Sequence, residues 1–340
     1  MCKVKVGVIG TGALGRHHAR LYKESVNAEI VGIFDANLDA SSKVAAEFGL
    51  PVMESMESLL SVVDGVSVAV PTDLHFEIVS EIVGRRTHVL VEKPLASNSE
   101  EGRKLVELAN RNGVVLQVGH TENFNPVIKY LRSKLTSPLF MEAHRLAAYP
   151  PLRPGLKPRG TEVGVVHDLM IHDLDLILDL VSSSVVRVDA VGMPVLSPLE
   201  DIANARIVFE NGRVANVTAS RISPELMRKI RVFQPDTYIS LDYGTQRGEI
   251  YSRGATGIER EDVPIESENA LKSELNDFVN SLAAFNSTGS LPPKGVSGAR
   301  AQSALELADE IVDKIKRHIG GHDQLSGLIR PTGFWDDVDG

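Results

Sequence analysis

Residues Val4–Asp35 read VKVGVIGTGALGRHHARLYKESVNAEIVGIFD. The β-branched run Val4, Val6, Val8 and Ile9 predicts a strand, which ends in Gly10, Gly12 and Gly15, spaced G-x-G-x-x-G. A helical pattern follows through Ala19, Leu21 and Tyr22, and a second strand, Ile30 to Phe34, ends on Asp35, 20 residues beyond the last glycine. Strand, glycine turn, helix, strand, acid is the order a dinucleotide site requires. Gly10 permits the tight turn, Gly12 lets a pyrophosphate approach the backbone, and Gly15 lets helix and strand pack closely. The helix start at Ala13 and Leu14 offers free N–H groups and a partial positive charge to phosphate. A carboxylate at the tip of the second strand can hydrogen-bond ribose hydroxyls and repel a 2′-phosphate. Ala36 and Asn37 supply no cation for such a phosphate, so the cofactor expected is NAD rather than NADP.

Working outward, the alternation of strand and helix continues. Strands are expected over Val66–Val70, Thr87–Val91 and Val114–Val118, with helices over Ser41–Phe48, Met56–Ser61, His75–Val83 and Ser99–Asn112. This pattern implies an α/β fold, a doubly wound parallel sheet whose ligands lie beyond the carboxyl ends of its strands. Pro71, Thr72 and His75 follow one strand end, and Glu92-Lys93-Pro94 follows another, so these residues are expected to face the cofactor.

From about Asn125 the texture changes. A helix over Val127–Leu135 and a strand over Phe140–Leu146 precede a Pro/Gly/basic loop, Tyr149–Gly160, and a helix over Asp168–Leu180. Strands then follow without intervening helices: Val185–Met193, Ala203–Phe209, Val214–Ser220, Lys229–Phe233 and Thr237–Asp242, with turn signals at Asn211-Gly212 and Tyr243-Gly244. This reads as an α+β domain with an open, mainly antiparallel sheet. Two late helices, Asn269–Phe285 and Ser297–His318, complete the pattern, and one of them is expected to pack back on the nucleotide domain. The expected partition is a Rossmann domain over residues 1–123, an α+β domain for substrate and oligomerisation over 124–320, and a polar tail over 321–340 containing Trp335.

Composition limits the function classes. The chain's 340 residues are enough for two domains at roughly 150 each. Hydrophobic content of 43% and charged content of 24% are those of a globular protein. A net charge of −9 argues against general nucleic-acid binding. The single cysteine, Cys2, allows no disulfide framework within the chain, and no apolar run approaches the roughly 20 residues of a membrane span. The first strand starts too early to leave room for a signal peptide, so a cytoplasmic location is expected.

Two constellations carry possible chemistry. Lys93 stands at a strand end between an acid and a proline, where its ammonium can polarise a hydroxyl oxygen or relay a proton; pairing with Glu92 on the surface is the plainer alternative. The segment GVVHDLMIHDLD (164–175) places Asp168 and His172 four apart, on one face of an α-helix. There His172 can accept a hydroxyl proton while Asp168 orients the ring. A helix-start acid and a core histidine remain the alternatives for this pair. A metal reading of His167, Asp168, His172, Asp173 and Asp175 is disfavoured because those side chains point around the whole helix. Weaker candidates are His120, Glu122, Asn123 and Asn125, able to fix sugar hydroxyls, and the cationic loop holding Arg153, Lys157 and Arg159, able to bind a diphosphate. His17 and His18 read as packing or surface residues.

Together GTGALG, Asp35, Pro71-Thr72, Glu92-Lys93-Pro94 and Asp168-x-x-x-His172 resemble the Gfo/Idh/MocA oxidoreductase family across Lys3 to His318. The resemblance implies reversible NAD-linked oxidation of a sugar or cyclitol hydroxyl, a dimer or tetramer, and Lys93, Asp168 and His172 as the catalytic set. A narrower likeness, in GHTENFNPVI (119–128), MEAHRLA (141–147), KPRGTEVGVV (157–166) and HDLMIHDLDLIL (167–178), is to bacterial UDP-N-acetylglucosamine 3-dehydrogenases. That likeness implies oxidation at C3 to a 3-keto sugar, which a partner aminotransferase consumes in amino-sugar and lipid A synthesis. It implies a substrate-contact set of Lys93, His120, Glu122, Asn123, Asn125, Arg159, Asp168 and His172. The chain departs from it at Asn123, where an arginine is expected, and in the added residues Pro150–Gly155. A dehydrogenase of a free sugar or inositol, or a non-catalytic NAD-sensing regulator, are the alternatives the same motifs permit.

Overall fold

The computed structural model describes residues 3–151, 161–289 and 295–322. The chain forms two compact units, Met1–Phe124 with Asn269–Leu305, and Asn125–Glu268 with Glu306–Gly340. In chain order the first contains β1 (Val4–Ile9), α1 (Ala13–Glu24), β2 (Ala28–Phe34), α2 (Leu38–Phe48), α3 (Met56–Leu60), β3 (Gly65–Val68), α4 (His75–Gly84), β4 (His88–Glu92), α5 (Ser99–Asn112) and β5 (Leu116–Gly119). Its five strands pair in the order β2-β1-β3-β4-β5, and every pair is parallel. The inner strands are buried because helices cover a parallel sheet on both faces: β3 and β4 are buried throughout.

The second unit contains α6 (Pro126–Lys134), β6 (Phe140–Leu146), α7 (Ile171–Val181), β7 (Val185–Met193), β8 (Ile202–Phe209), β9 (Val214–Ser220), β10 (Met227–Gln234), β11 (Thr237–Asp242), β12 (Arg247–Arg253) and β13 (Ile258–Asp262). The order is β13-β12-β11-β10-β6-β9-β8-β7, with β6–β9 parallel and the other pairs antiparallel. Along β6, buried Met141, Ala143 and Arg145 alternate with half-buried Phe140, Glu142, His144 and Leu146. Arg145 bonds Asp173 of α7, which identifies the helix-covered face. The opposite face carries a cross-strand aromatic ladder, Phe140–Phe233–Tyr238–Tyr251, with ring centroids 4.8–5.5 Å apart. Strands β12 and β13 have no counterpart in the sequence reading. β13 is exposed at every position and mostly charged, so no buried side gives it a period.

The last elements are α8 (Ala270–Thr288) and α9 (Gly298–Gly320); the unit boundary at Leu305 falls inside α9. Leu275, Phe278, Val279 and Leu282 of α8 join Val4, Val6, Ala28 and Leu90 in one buried cluster. Each such side chain contributes roughly 1.5–3 kcal/mol on burial. The first unit is therefore discontinuous in sequence: one late helix packs back on the nucleotide domain as expected, so a single cut near residue 123 does not describe the unit. Among the described residues no helix is long and apolar enough to cross a membrane. The tail with Trp335 lies outside the described residues.

Candidate active site

The glycine turn is built as dinucleotide binding demands. Gly10 has φ +85°, and a Cβ there would lie 2.5 Å from the Ala69 carbonyl oxygen. A Cβ on Gly15 would lie 1.8 Å from the Gly10 oxygen, so this glycine sets how closely α1 meets β1. At Gly12 a Cβ would meet nothing within 4 Å, leaving the backbone open to an incoming group. Gly12 is also the N-cap of α1, and no side chain caps it. The first-turn amides are left for a phosphate, so the cradle fits a dinucleotide.

Asp35 is held in place by this turn. Its Oδ2 accepts hydrogen bonds from the Thr11 N–H at 2.6 Å and the Thr11 hydroxyl at 2.9 Å, and its Oδ1 from the Asn37 N–H at 2.8 Å. Asn37 caps α2 in turn. Oδ2 is filled by its two Thr11 donors, and Oδ1 keeps acceptor capacity for a ribose hydroxyl. Thr11 was not singled out by the sequence reading; its signal was its place inside the glycine turn.

Around β3 and β4 the structure gathers Pro71, Thr72, His75, Glu92 and Lys93 in the first unit. Thr72 is buried at the start of a short 3-10 turn, Thr72–Leu74, and Lys93 is half-buried. The buried His75 ring points inward: Nδ1 lies 2.8 Å from the Pro94 carbonyl oxygen and Nε2 3.1 Å from that of Val70. Burial pushes its pKa below the usual histidine value. The neutral ring donates from one nitrogen only. His75 thus ties the loop after Val70 to the one after Lys93. Glu92 is buried and bonded to His18, whose Nε2 is 2.9 Å from Oε1. The sequence reading had placed His18 among packing or surface residues; its partner, 74 positions away, left no local mark.

The segment after β5 is engaged mainly with its own surroundings. His120 is buried, and the buried Asn123 donates to the His120 carbonyl and accepts from Arg300 at 2.6 Å. Thr121 donates to Glu274 Oε2 at 3.0 Å. Asn125 caps α6 through the Val127 N–H, with Pro126 at the first helical position, and its amide donates to the Tyr243 carbonyl. Its cap geometry was readable in Asn-Pro before a helical run.

In the second unit Asp168 and His172 lie on consecutive turns, but the helix there is not α throughout. Val166–Met170 form one turn of π-helix before α7 begins. The wider turn re-aims Asp168 relative to the α-helical spacing expected, and such turns concentrate at functional sites. Asp168 and His172 are half-buried, whereas Asp173 and Asp175 are fully buried. Asp173 accepts from Arg145 Nε at 2.9 Å and from the Tyr243 hydroxyl at 3.1 Å, and His167 Nε2 lies 2.7 Å from Asp309. Arg153, Lys157 and Arg159 lie outside the described residues.

Comparison with known proteins places the chain in a family. A model of the oxidoreductase family with the NAD-binding Rossmann fold matches residues 4–120, and the GFO/IDH/MocA C-terminal domain matches residues 134–239. The UDP-N-acetylglucosamine 3-dehydrogenase of Acidithiobacillus ferrooxidans is 37% identical over 311 residues, covering 89% of this chain and 96% of its own. The rhizopine catabolism protein MocA of Rhizobium meliloti is 26% identical over 331 residues, covering 94% and 97%. The solved structure of UDP-N-acetylglucosamine 3-dehydrogenase GnnA from Acidithiobacillus ferrooxidans superimposes with a TM-score of 0.84 at 35% identity, covering 93% of this chain and 99% of that one.

Proposed function

The chain belongs to the Gfo/Idh/MocA oxidoreductase family, and from that premise we propose that it uses NAD to oxidise C3 of UDP-N-acetylglucosamine to the 3-keto sugar. The observation that carries this reading is the 37% identity to a UDP-N-acetylglucosamine 3-dehydrogenase over nearly the whole of both chains. Bound NAD supplies the hydride acceptor, carbon C4 of its nicotinamide. The chain's own residues do the rest. Gly10, Gly12, Ala13, Leu14 and Gly15 hold the pyrophosphate, and Asp35 selects the ribose without a 2′-phosphate. Pro71, Thr72 and Glu92, with His75 behind them, shape the loops that flank the cofactor. His172 takes the hydroxyl proton as hydride leaves the carbon, Lys93 stabilises the negative charge that grows on oxygen, and Asp168 steadies the imidazole. His120, Glu122 and Asn123 orient the sugar, with Asn125 fixing their segment, and Arg159 holds the diphosphate.

The 3-keto product is a substrate for an aminotransferase, which we place next in the reaction sequence. The ladder face of the second sheet is the surface we assign to homo-oligomer formation, checked by light scattering of the parent chain and of Tyr238→Glu.

The test is NADH formation with UDP-N-acetylglucosamine, an aminotransferase and glutamate being present to draw off the ketone. Turnover that requires the UDP group, with a raised KM in Arg159→Glu, is expected. Activity on free sugars or inositols alone would overturn the nucleotide-sugar assignment. Lys93→Met lowers kcat about 10²–10³-fold while NAD affinity holds; equal loss of both would defeat the role given to Lys93. Asp35→Ser admits NADP, and unchanged discrimination would count against its ribose contact.

A further inference from the structure

Directly before Lys93 lies a buried group of ionisable side chains drawn from elements far apart in sequence. Glu92, at the end of β4, is 7% exposed and takes its hydrogen bond from His18, one turn into α1 and 1% exposed. Its other oxygen packs against Gly119 at the end of β5, where a Cβ would come within 3.0 Å. Lys93 beside it, His75 from α4 and Glu274 from α8 act on Glu92 or are acted on by it electrostatically. Glu274 is itself faced by Thr121, Glu122 and Asp277.

The charge on this group divides unequally. Burial alone would raise the Glu92 pKa, but the hydrogen bond from His18, with the Lys93 charge adding to it, outweighs burial and holds the carboxyl below its ordinary value. Glu274 is driven the other way: burial, then the charge of Glu92, lift it well above the ordinary value, with the Thr121 bond opposing. Two carboxyls in one low-dielectric site do not both ionise readily, so Glu92 carries the charge and Glu274 the proton. His18 Nδ1 is buried with no hydrogen-bond partner among the described residues. The His18–Glu92 contact, buried at both ends, fixes the carboxylate in place.

We infer that His18 is a positioning residue for Lys93: it fixes the Glu92 carboxylate at the base of the Lys93 loop and so sets the charge against which that ammonium works. The inference rests on the catalytic role proposed above for Lys93. An apolar residue at position 18 would leave a buried carboxylate oxygen without its donor, so Glu92 would rotate or take up a proton, and Lys93 would lose its fixed counter-charge.

The experiment compares full-length His18→Leu, His18→Gln, Glu92→Gln and the double variant His18→Leu/Glu92→Gln with Lys93→Met. His18→Leu is expected to lower kcat about 10–100-fold, as displacement of a catalytic group does, to shift the pH profile of kcat, and to leave NAD affinity unchanged. His18→Gln, which keeps a donor, restores kcat towards the parent, and the double variant loses no more than Glu92→Gln alone. A readout independent of turnover is the acetylation of Lys93 followed by mass spectrometry across pH: without its counter-charge Lys93 reacts at lower pH. The inference is overturned if Lys93→Met abolishes turnover while His18→Leu keeps the parent kcat, pH profile and Lys93 reactivity. It is overturned equally if the losses add and glutamine rescues nothing, which is the behaviour of a plain packing contact. Turnover surviving in Lys93→Met would instead remove the premise about Lys93.

Discussion

The two units bury charge in opposite ways. In the second, Asp201 is saturated: Oδ2 accepts from the backbone N–H groups of Val195, Leu196 and Ser197, and Oδ1 from Arg221 Nε and the Ser197 hydroxyl. Burial would raise its pKa, but Arg221 and these donors hold it below the ordinary value. Arg221, Asp173 and Arg145 are likewise buried among bonded partners. In the first unit His18, Glu92 and Glu274 are as deeply buried, yet His18 Nδ1 and Glu274 Oε1 have no hydrogen-bond partner among the described residues. A saturated cluster has one low-energy protonation state and serves as scaffold. An undersatisfied one stores an uneven charge, which is useful only where chemistry draws on it.

Three substitutions probe that contrast, beginning with the largest effect. Arg221→Met leaves the Asp201 carboxylate buried without its cation and is expected to cost about 3–5 kcal/mol of unfolding free energy in urea titration. A cost near zero would mean the cluster is no scaffold. Tyr243→Phe removes one bond to the charged Asp173 and should cost about 1.5–3 kcal/mol by the same titration. Glu274→Gln should have the opposite sign and the smallest size. The folded protein retains a proton on Glu274 that the unfolded chain releases near pH 4.5. Its contribution is therefore complete below that pH and is lost as pH rises toward the folded-state pKa. Glutamine removes this loss, so the variant is expected to melt at a higher Tm than the parent at pH 8 and at the same Tm at pH 4. An equal effect at both pH values would show that proton retention is not its cause.

What the sequence revealed and what it hid divide along the same line. The glycine turn and Asp35 are local in sequence: the G-x-G-x-x-G spacing between a strand and a helix displays them, although the contact that forces Gly10 comes from Ala69 in a later segment. Strands such as Phe140–Leu146 and Val214–Ser220 were legible because one buried side imposes a period of two. The exposed β13 has no buried side and was invisible. The π turn at Val166–Met170 has the composition of any helical turn, so only coordinates reveal that Asp168 leaves the α-helical register. His18, His75 and Glu274 do their work through partners in other elements, and a single sequence carries no mark of such pairings. Asn125 was chosen for its polar amide, which the fold spends on capping α6.

The return of α8 to the first unit has a consequence during synthesis. When residues 1–124 have left the ribosome, the apolar side formed by Val4, Val6, Ala28 and Leu90 still lacks Leu275, Phe278, Val279 and Leu282. Those arrive only after residues 125–268 have been translated, about 10–30 s later at roughly 5–20 residues per second. For that interval the nascent nucleotide unit displays a greasy strip that a chaperone must shield or that a neighbouring chain can seize. Cutting the gene after residue 124 would therefore yield an aggregating fragment, whereas a circular permutant that starts at α8 would close its first core soon after emerging.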